Sequence, residues 1–296
     1  SLRQLKNASR DLKAVAKSSG AGGGDCGIAL SFDQDSTTLL KKRWADLGIE
    51  LLYQERMGHD DVLDQAEIRR GEDTIHMHKG NKVAILSGDY LFAKAFKIVS
   101  EMTNMKYLQV FSHIITCLVE GEFMQMEDVY RIDQGIERYM TKTQKKTADF
   151  MEGCMELGGL LGDWQEDEII ELKKYGHALG MAFQITDDIM DYRETAETTG
   201  KPVGNDLREG LLTYPLLSIV NDGNKDKLLE DIKALNNGGN EQDIIDYVIA
   251  QGGIDNTLAV ADKYCKDALA ALAAVRDFPG KEFLVMAVEN LADRKV

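Results

Sequence analysis

From Asp167 to Tyr192 the chain reads DEIIELKKYGHALGMAFQITDDIMDY, and this stretch decides the fold. Leu172, Tyr175, Leu179, Phe183, Thr186 and Met190 recur at steps of three and four, which places them on one face of an α-helix. The same spacing runs over Leu39 to Ala66, Asn81 to Thr103, Tyr107 to Met126 and Gln144 to Leu161. It returns over Leu212 to Val220, Glu241 to Ala250, Gly253 to Val275 and a short segment after Pro279. Only three prolines occur in 296 residues, so the strongest helix breaker is missing from most of the chain. No alternating strand pattern bounded by turns competes. Breakers fall at Ser18 to Gly27, Gly71 to Lys79, Thr195 to Asn205, Asp222-Gly223 and Asn236 to Asn240, none long enough for an interdomain linker. The expectation is an all-α fold, one domain over residues 1–296 with about nine or ten helices and no solenoid repeat.

Composition narrows the function. The chain is 44% hydrophobic, enough for a substantial core, and carries 35 Lys+Arg against 50 Asp+Glu, a net charge of −15. No basic stripe interleaved with aromatics stands out, which argues against nucleic acid. An anionic substrate would need a local basic pocket or divalent cations that invert the local charge. Cys26, Cys117, Cys154 and Cys265 lie far apart without a CxxC spacing, and nothing resembles a secretory leader, so a cytoplasmic protein with reduced thiols is expected. No 18-residue apolar run exists, hence no transmembrane segment is expected.

Two segments share an Asp-Asp-x-x-Asp pattern, Asp60-Asp61-Val62-Leu63-Asp64 and Asp187-Asp188-Ile189-Met190-Asp191. On a helix the first and last Asp of each set stand one above the other, an unfavourable stack of like charge unless a cation sits between them. A solvated acidic face is the plain reading of one such run. Met181-Ala182-Phe183-Gln184-Ile185 precedes the second set, however, so its carboxylates emerge from a core-like helix. Sparse carboxylate ligation that leaves room for water and substrate phosphates is the signature of Mg²⁺. Two such sets facing each other would bind a diphosphate. Arg69 and Arg70, Lys146 with Thr147, and Lys201 in Gly200-Lys201-Pro202 supply phosphate partners of the right kinds.

These residues resemble the trans-isoprenyl diphosphate synthases, the polyprenyl synthetase family. The first motif region corresponds to Asp60 to Asp64, Arg69-Arg70-Gly71 and Ser87-Gly88-Asp89-Tyr90-Leu91-Phe92-Ala93. Gly121-Glu122, Lys146-Thr147-Ala148, Phe183 to Asp191, Gly200 to Leu207 and Gly252-Gly253-Ile254 follow in family order. The resemblance implies antiparallel helices around a central cavity, a homodimer and about three Mg²⁺ between the acidic motifs. Carried over by position, Asp60, Asp64 and Asp187 are direct metal ligands, with Asp61, Asp188 and Asp191 as further ligands or water-linked partners. Arg69, Lys146 and Lys201 would hold an allylic prenyl diphosphate and Arg70 isopentenyl diphosphate. Thr147 and Gln184 would hold the reacting chain. In that family a diphosphate departs, the double bond of isopentenyl diphosphate attacks the allylic cation, and a proton is lost, the released diphosphate being its expected acceptor.

The chain also departs from the pattern. Where the family carries a Gly-Lys-Arg-x-Arg-Pro segment for isopentenyl diphosphate, this sequence has Gly20 to Gly27 without basic residues, and a His expected in the next helix is Tyr53. Glu55 and Arg56 occupy positions that govern product length in the family, where two charges in an apolar tunnel are costly unless paired or turned away. These departures suit a second reading, a weakly active or regulatory subunit of a heteromeric synthase. Three other readings fall away. Gly22-x-Gly24-x-x-Gly27 has no preceding strand and no βαβ unit, the second acidic set lacks the Asn/Asp, Ser/Thr and Glu spacing of a terpene cyclase, and no Glu-x-x-His marks a ferritin-like bundle. His59 is expected to orient the acidic helix, His76 and His78 to be surface groups, and the methionines to fill the core.

Overall fold

A computed structural model describes residues 14–19, 26–31, 58–63, 65–69, 72–102, 104–193 and 204–293. The chain divides into two compact units, Ser1–Thr103 and Asn104–Val296. The helical class holds, and helices dominate both.

In the second unit the helices are α4 (Met105–Glu127), α5 (Gly135–Thr143), α6 (Asp149–Leu161), α7 (Glu166–Arg193), α8 (Asn205–Glu209), α9 (Tyr214–Leu217), α10 (Lys225–Ala234), α11 (Glu241–Ala250), α12 (Gly253–Ala273) and α13 (Lys281–Asp293). Local chemistry sets their starts. The Asn104 side chain accepts from Lys106 N at 3.0 Å and Asn240 from Gln242 N at 3.2 Å, both N-caps, and Glu166, Asp167 and Glu168 load the positive end of α7 with negative charge. Pro215 sits in the first turn of α9, where its missing N–H costs nothing.

The deciding stretch is α7, 28 residues long and packed between α6 and α12. Its Met181, Ile185, Ile189 and Tyr192 join Leu207, Leu212, Leu216, Ile232, Ile245 and Val248 in one core, while Tyr175, Ala178 and Ala182 meet Ala268, Leu272 and Val288 in another. The single apolar face expected from Leu172 to Met190 is therefore too narrow. Phe183 points outward, and Ala178, Met181, Ala182, Ile185 and Ile189 are buried instead, because a helix with neighbours on two sides buries two stripes.

Several boundaries move. The helix expected from Gln144 starts at Gly135 and passes through a π-helical turn, Gln144–Ala148, into α6. The segment from Leu212 to Val220 is helical only over Tyr214–Leu217, while α8 and α10 arise where no helix was expected, α10 burying Leu228 and Ile232 four apart.

In the first unit the helices are α1 (Gly58–Leu63), α2 (Ile75–Lys79) and α3 (Asn81–Ser100). Strands β1 (Ala14–Ser19) and β2 (Cys26–Ser31) pair antiparallel with Ala14 opposite Ser31 and Ser19 opposite Cys26, and β3 (Ile68–Arg69) pairs with β4 (Glu72–Asp73). Neither hairpin was expected, since AVAKSS and CGIALS do not alternate apolar with polar residues and the second ladder is only two residues long. Helix α2 lies within the breaker expected at Gly71 to Lys79. Nor does the helix expected to reach Ala66 do so. Gln65 turns to φ 49° and Ala66 N donates to Asp61 O at 3.0 Å, closing α1 at Leu63 in a six-to-one terminal bond. His59 ties α1 to α3, its Nε2 lying 3.0 Å from Asp89 Oδ1 and its ring stacking on Phe92 at 5.7 Å. His76 Nδ1 lies 2.9 Å from Thr74 Oγ1 and His78 Nε2 3.3 Å from Asp73 Oδ2, local ties around α2.

Candidate active site

The second acidic set lies near the end of α7, and its middle member is the most constrained. Asp188 is buried, a position an ionised carboxylate tolerates only with donors around it. Two supply them: Tyr139 of α5 donates its hydroxyl to Asp188 Oδ2, and Gln184, one turn earlier on α7, donates Nε2 to Oδ1 at 3.1 Å. Thr147 Oγ1 donates to Gln184 Oε1 at 3.0 Å, which fixes the amide so that its NH₂ faces the carboxylate. Burial pushes the Asp188 carboxyl up to about 6, against the pull of the Tyr139 and Gln184 hydrogen bonds. Burial and the Asp188 charge raise the Tyr139 hydroxyl well above its ordinary range, so it stays a protonated donor.

The remaining carboxylates gather around the turn into α8. Asp191 Oδ1 accepts from Asn205 N at 3.0 Å and Oδ2 from Asp206 N at 3.2 Å, while Gly204 N donates to the Asp191 carbonyl at 3.0 Å. Asp206 is pushed up to about 8, first by burial and then by Asp191, Asp188, Glu209 and Asp187. Asp187 is exposed. Carboxylates that raise one another in this way form an all-oxygen donor set whose repulsion a hard divalent cation would relieve, so these residues fit Mg²⁺.

The π turn carries the basic residue and the hydroxyl. Such turns add a residue to a helical coil and frequently mark functional positions. Helices on both sides approach it through glycine. A Cβ on Gly121 of α4 would stand 2.8 Å from Lys146 N, and one on Gly180 of α7 would stand 2.6 Å from Ala148 Cα. Lys146 Nζ pairs with Glu122 Oε2 at 2.7 Å and Lys145 Nζ with Glu120 Oε2 at 2.5 Å. Below them Lys142 is buried, its pKa lowered by burial while Asp128 and Asp188 oppose that shift. Asp128 is buried too and held by Arg138 Nε at 2.6 Å and Arg131 at 3.5 Å.

The structure thus joins Thr147, Gln184 and Asp188 in one chain of hydrogen bonds, with Asp187 and Asp191 beside them on α7 and Lys146 next to Thr147. Asp61 is fully buried in the first unit. Asp64, Arg70 and Lys201 lie outside the described residues, as do the side chains of Asp60 and Arg69, Glu55, Arg56 and Gly20 to Asp25. Sequence reasoning missed Tyr139 and Lys142, which precede Lys146 by seven and four positions, and passed over Asp206 inside the stretch it quoted from Gly200 to Leu207.

A family model for polyprenyl synthetase matches residues 28–251. The chain is 34% identical over 223 residues to heptaprenyl diphosphate synthase component 2 of Geobacillus stearothermophilus, covering 75% of this chain and 70% of that one. It is 33% identical over 241 residues to octaprenyl diphosphate synthase of Escherichia coli K12, covering 80% and 74%. Among solved structures, the polyprenyl synthase from Caulobacter crescentus CB15 complexed with calcium and isoprenyl diphosphate superposes with a TM-score of 0.71 at 31% identity, covering 81% of this chain and 74% of that one. Motif order and these likenesses agree: the chain belongs to the polyprenyl synthetase family and is a trans-isoprenyl diphosphate synthase, a prenyltransferase of isoprenoid synthesis.

Proposed function

We propose that the condensation of an allylic prenyl diphosphate with isopentenyl diphosphate runs here on Mg²⁺ held by Asp60, Asp61, Asp64, Asp187, Asp188 and Asp191, about three ions in all. The observation that carries this reading is the chain from Thr147 through Gln184 to Asp188, met from the other side by Tyr139. It presets a buried carboxylate, and with Asp187, Asp191 and Asp206 it concentrates negative charge that a cation would neutralise. Bound Mg²⁺ supplies Lewis-acid stabilisation of the departing diphosphate oxygens. Asp187, the exposed member, is the direct ligand, and Asp188 and Asp191, held by protein donors, act beside it. Lys146, Lys201 and Arg69 hold the allylic diphosphate and Arg70 the isopentenyl diphosphate. Release of Lys146 from Glu122 frees its charge for that contact. Thr147 and Gln184 hold the reacting chain.

The family match runs through both compact units, which supports one functional domain over the whole chain. We assign the protein to the cytoplasm as a homodimer, in keeping with Cys117 and Cys154, which form no disulfide. A second reading, a subunit working with a different chain, is favoured by one observation: the 34% identical relative is named as a component of its synthase.

Incubation of the purified protein with Mg²⁺, farnesyl diphosphate and labelled isopentenyl diphosphate tests both. Longer labelled prenyl diphosphates are expected. Farnesyl diphosphate bound in a Mg²⁺-dependent way without product would select the subunit reading, and no Mg²⁺-dependent binding at all would sink both.

A further inference from the structure

Between α4 and α6 lies a second group of ligating side chains that the prenyl-transfer reading does not use. We propose that His113, Cys117 and Asp149 form a zinc site that clamps α4 to α6.

The register of the two helices brings the group together. Gly121 meets Lys146 at one level, and Ile114 meets Gly153 two turns away. Cys117 and Asp149 fall at the level between, and His113 stands one turn from Cys117 on the same face of α4. The ligand atoms of His113, Cys117 and Asp149 all lie within 4.8 Å of one another. Cys117 Sγ is 3.6 Å from His113 Nε2 and 3.7 Å from Nδ1. Zinc bonds of about 2.3 Å to sulfur and about 2.0–2.1 Å to nitrogen, at a tetrahedral angle, set the two ligand atoms about 3.5 Å apart. The separation already matches that edge, and because Sγ lies almost equally far from both nitrogens, a turn of the exposed His113 ring would aim one of them at the ion.

The surroundings match a borderline metal rather than Mg²⁺. A thiolate with an imidazole selects zinc over hard cations, which separates this group from the all-oxygen set on α7. Cys117 and Asp149 are buried while His113 is exposed, which supplies an entry path and leaves the fourth position to water. Gln144 Nε2 donates to Asp149 Oδ1 at 3.2 Å and orients the carboxylate from outside, and the nearby Lys145 ammonium is tied to Glu120. On binding, the Cys117 S–H bond breaks, its proton passes to solvent and a sulfur–zinc bond takes its place. Burial and Asp149 hold the thiol up at about 11, so it keeps its proton until the metal displaces it. Asp149 also belongs to a second group with Glu152 and His177, but the Lys173 ammonium already lies 3.5 Å from Glu152 and that group offers no sulfur, so the group with Cys117 takes the ion. A clamp here sits one helical turn from Lys146 and Thr147 and would hold α4 against the turn that presents them.

The test uses the full chain, stripped with a chelator and titrated with Co²⁺ in the absence of prenyl substrates. Expected are a thiolate-to-cobalt charge-transfer band in the near ultraviolet and the strong visible bands of a tetrahedral centre, both erased by Zn²⁺. Cys117→Ser should abolish the charge-transfer band and Cys154→Ser should retain it. His113→Gln, an exposed position whose change leaves the core packing intact, should weaken Co²⁺ binding by about tenfold or more with unchanged circular dichroism. Absence of the band in the parent chain, its survival in Cys117→Ser, or unaltered affinity in His113→Gln would overturn the site.

Discussion

Asp60 to Asp64 begins in a helix of six residues that closes with the bond from Ala66 N to Asp61 O, whereas Asp187 to Asp191 lies near the end of a helix of 28. The five-residue pattern is the same, but the support differs. A six-residue helix gains too few propagating bonds to offset its nucleation, so α1 depends on ties outside itself. His59 reaches Asp89 and Phe92 on α3, and Thr74 Oγ1 donates to the Ala66 carbonyl at 2.7 Å just past the helix end. The second set draws rigidity from packing on two sides and from donors assigned to individual oxygens: Tyr139 and Gln184 for Asp188, Asn205 N and Asp206 N for Asp191. One spacing can therefore rest on a long helix packed along two sides or on a short one tied at a few points.

The largest effect should come from removing the exposed ligand of the better-supported set. If Asp187 holds Mg²⁺ as proposed, Asp187→Ala at this exposed position should cost Lewis-acid stabilisation worth several kcal/mol and lower turnover by about a thousandfold or more. Mg²⁺-dependent binding of an allylic diphosphate should disappear while far-ultraviolet circular dichroism stays unchanged. Retained binding would refute the metal assignment. Asp60→Ala should behave alike, and a milder loss there would show that the two sets do not share the metal equally.

Next comes the donor behind the set. Tyr139→Phe deletes a hydroxyl bonded to a buried carboxylate, and groups that orient a metal ligand from outside typically change metal affinity or activity by about 10–100-fold. The Mg²⁺ concentration for half-maximal rate should rise with that loss, which loss of packing alone would not produce. An unchanged Mg²⁺ requirement would show that Gln184 alone orients Asp188.

How much of this was legible varies with distance along the chain. Helix α7 was read almost to the residue because 28 positions repeat one period, and Thr147, Gln184 and Asp188 stood out as chemically matched types in family order. Tyr139 and Lys142 were missed because a helix boundary was misplaced. Their spacing of seven and four before Lys146 is helical, but the expected helix began at Gln144 and left both outside it, whereas the coil actually starts at Gly135. The end of α1 was hidden because Gln65, not glycine, takes the left-handed position that usually announces a helix stop. The partnership of Cys117 with Asp149 depends on two helices meeting, which no local pattern records.

Gly180→Ala should act on stability and on the site together. The added methyl would stand 2.6 Å from Ala148 Cα, backbone that cannot swing aside, so α7 and the π turn must part. Overpacking of this kind costs about 1–3 kcal/mol, read as a lower thermal midpoint. Because Thr147 lies next to Ala148, its bond to Gln184 should lengthen and activity should fall further than stability requires. A stability loss with full activity would mean that Gln184 does not need Thr147.

The smallest expected effect returns to the first set. His59→Gln keeps a polar group near Asp89 but removes the ring that stacks on Phe92 at 5.7 Å. The Asp89 side chain is 61% exposed, so the ion pair itself contributes little, and the total change should stay under about 1 kcal/mol. If α1 is held chiefly by its neighbours, even this small change should raise amide hydrogen exchange at Asp61 to Leu63 while leaving Ile185 to Asp191 untouched. Equal exchange in both segments would show that the short helix is held by its terminal bond rather than by His59.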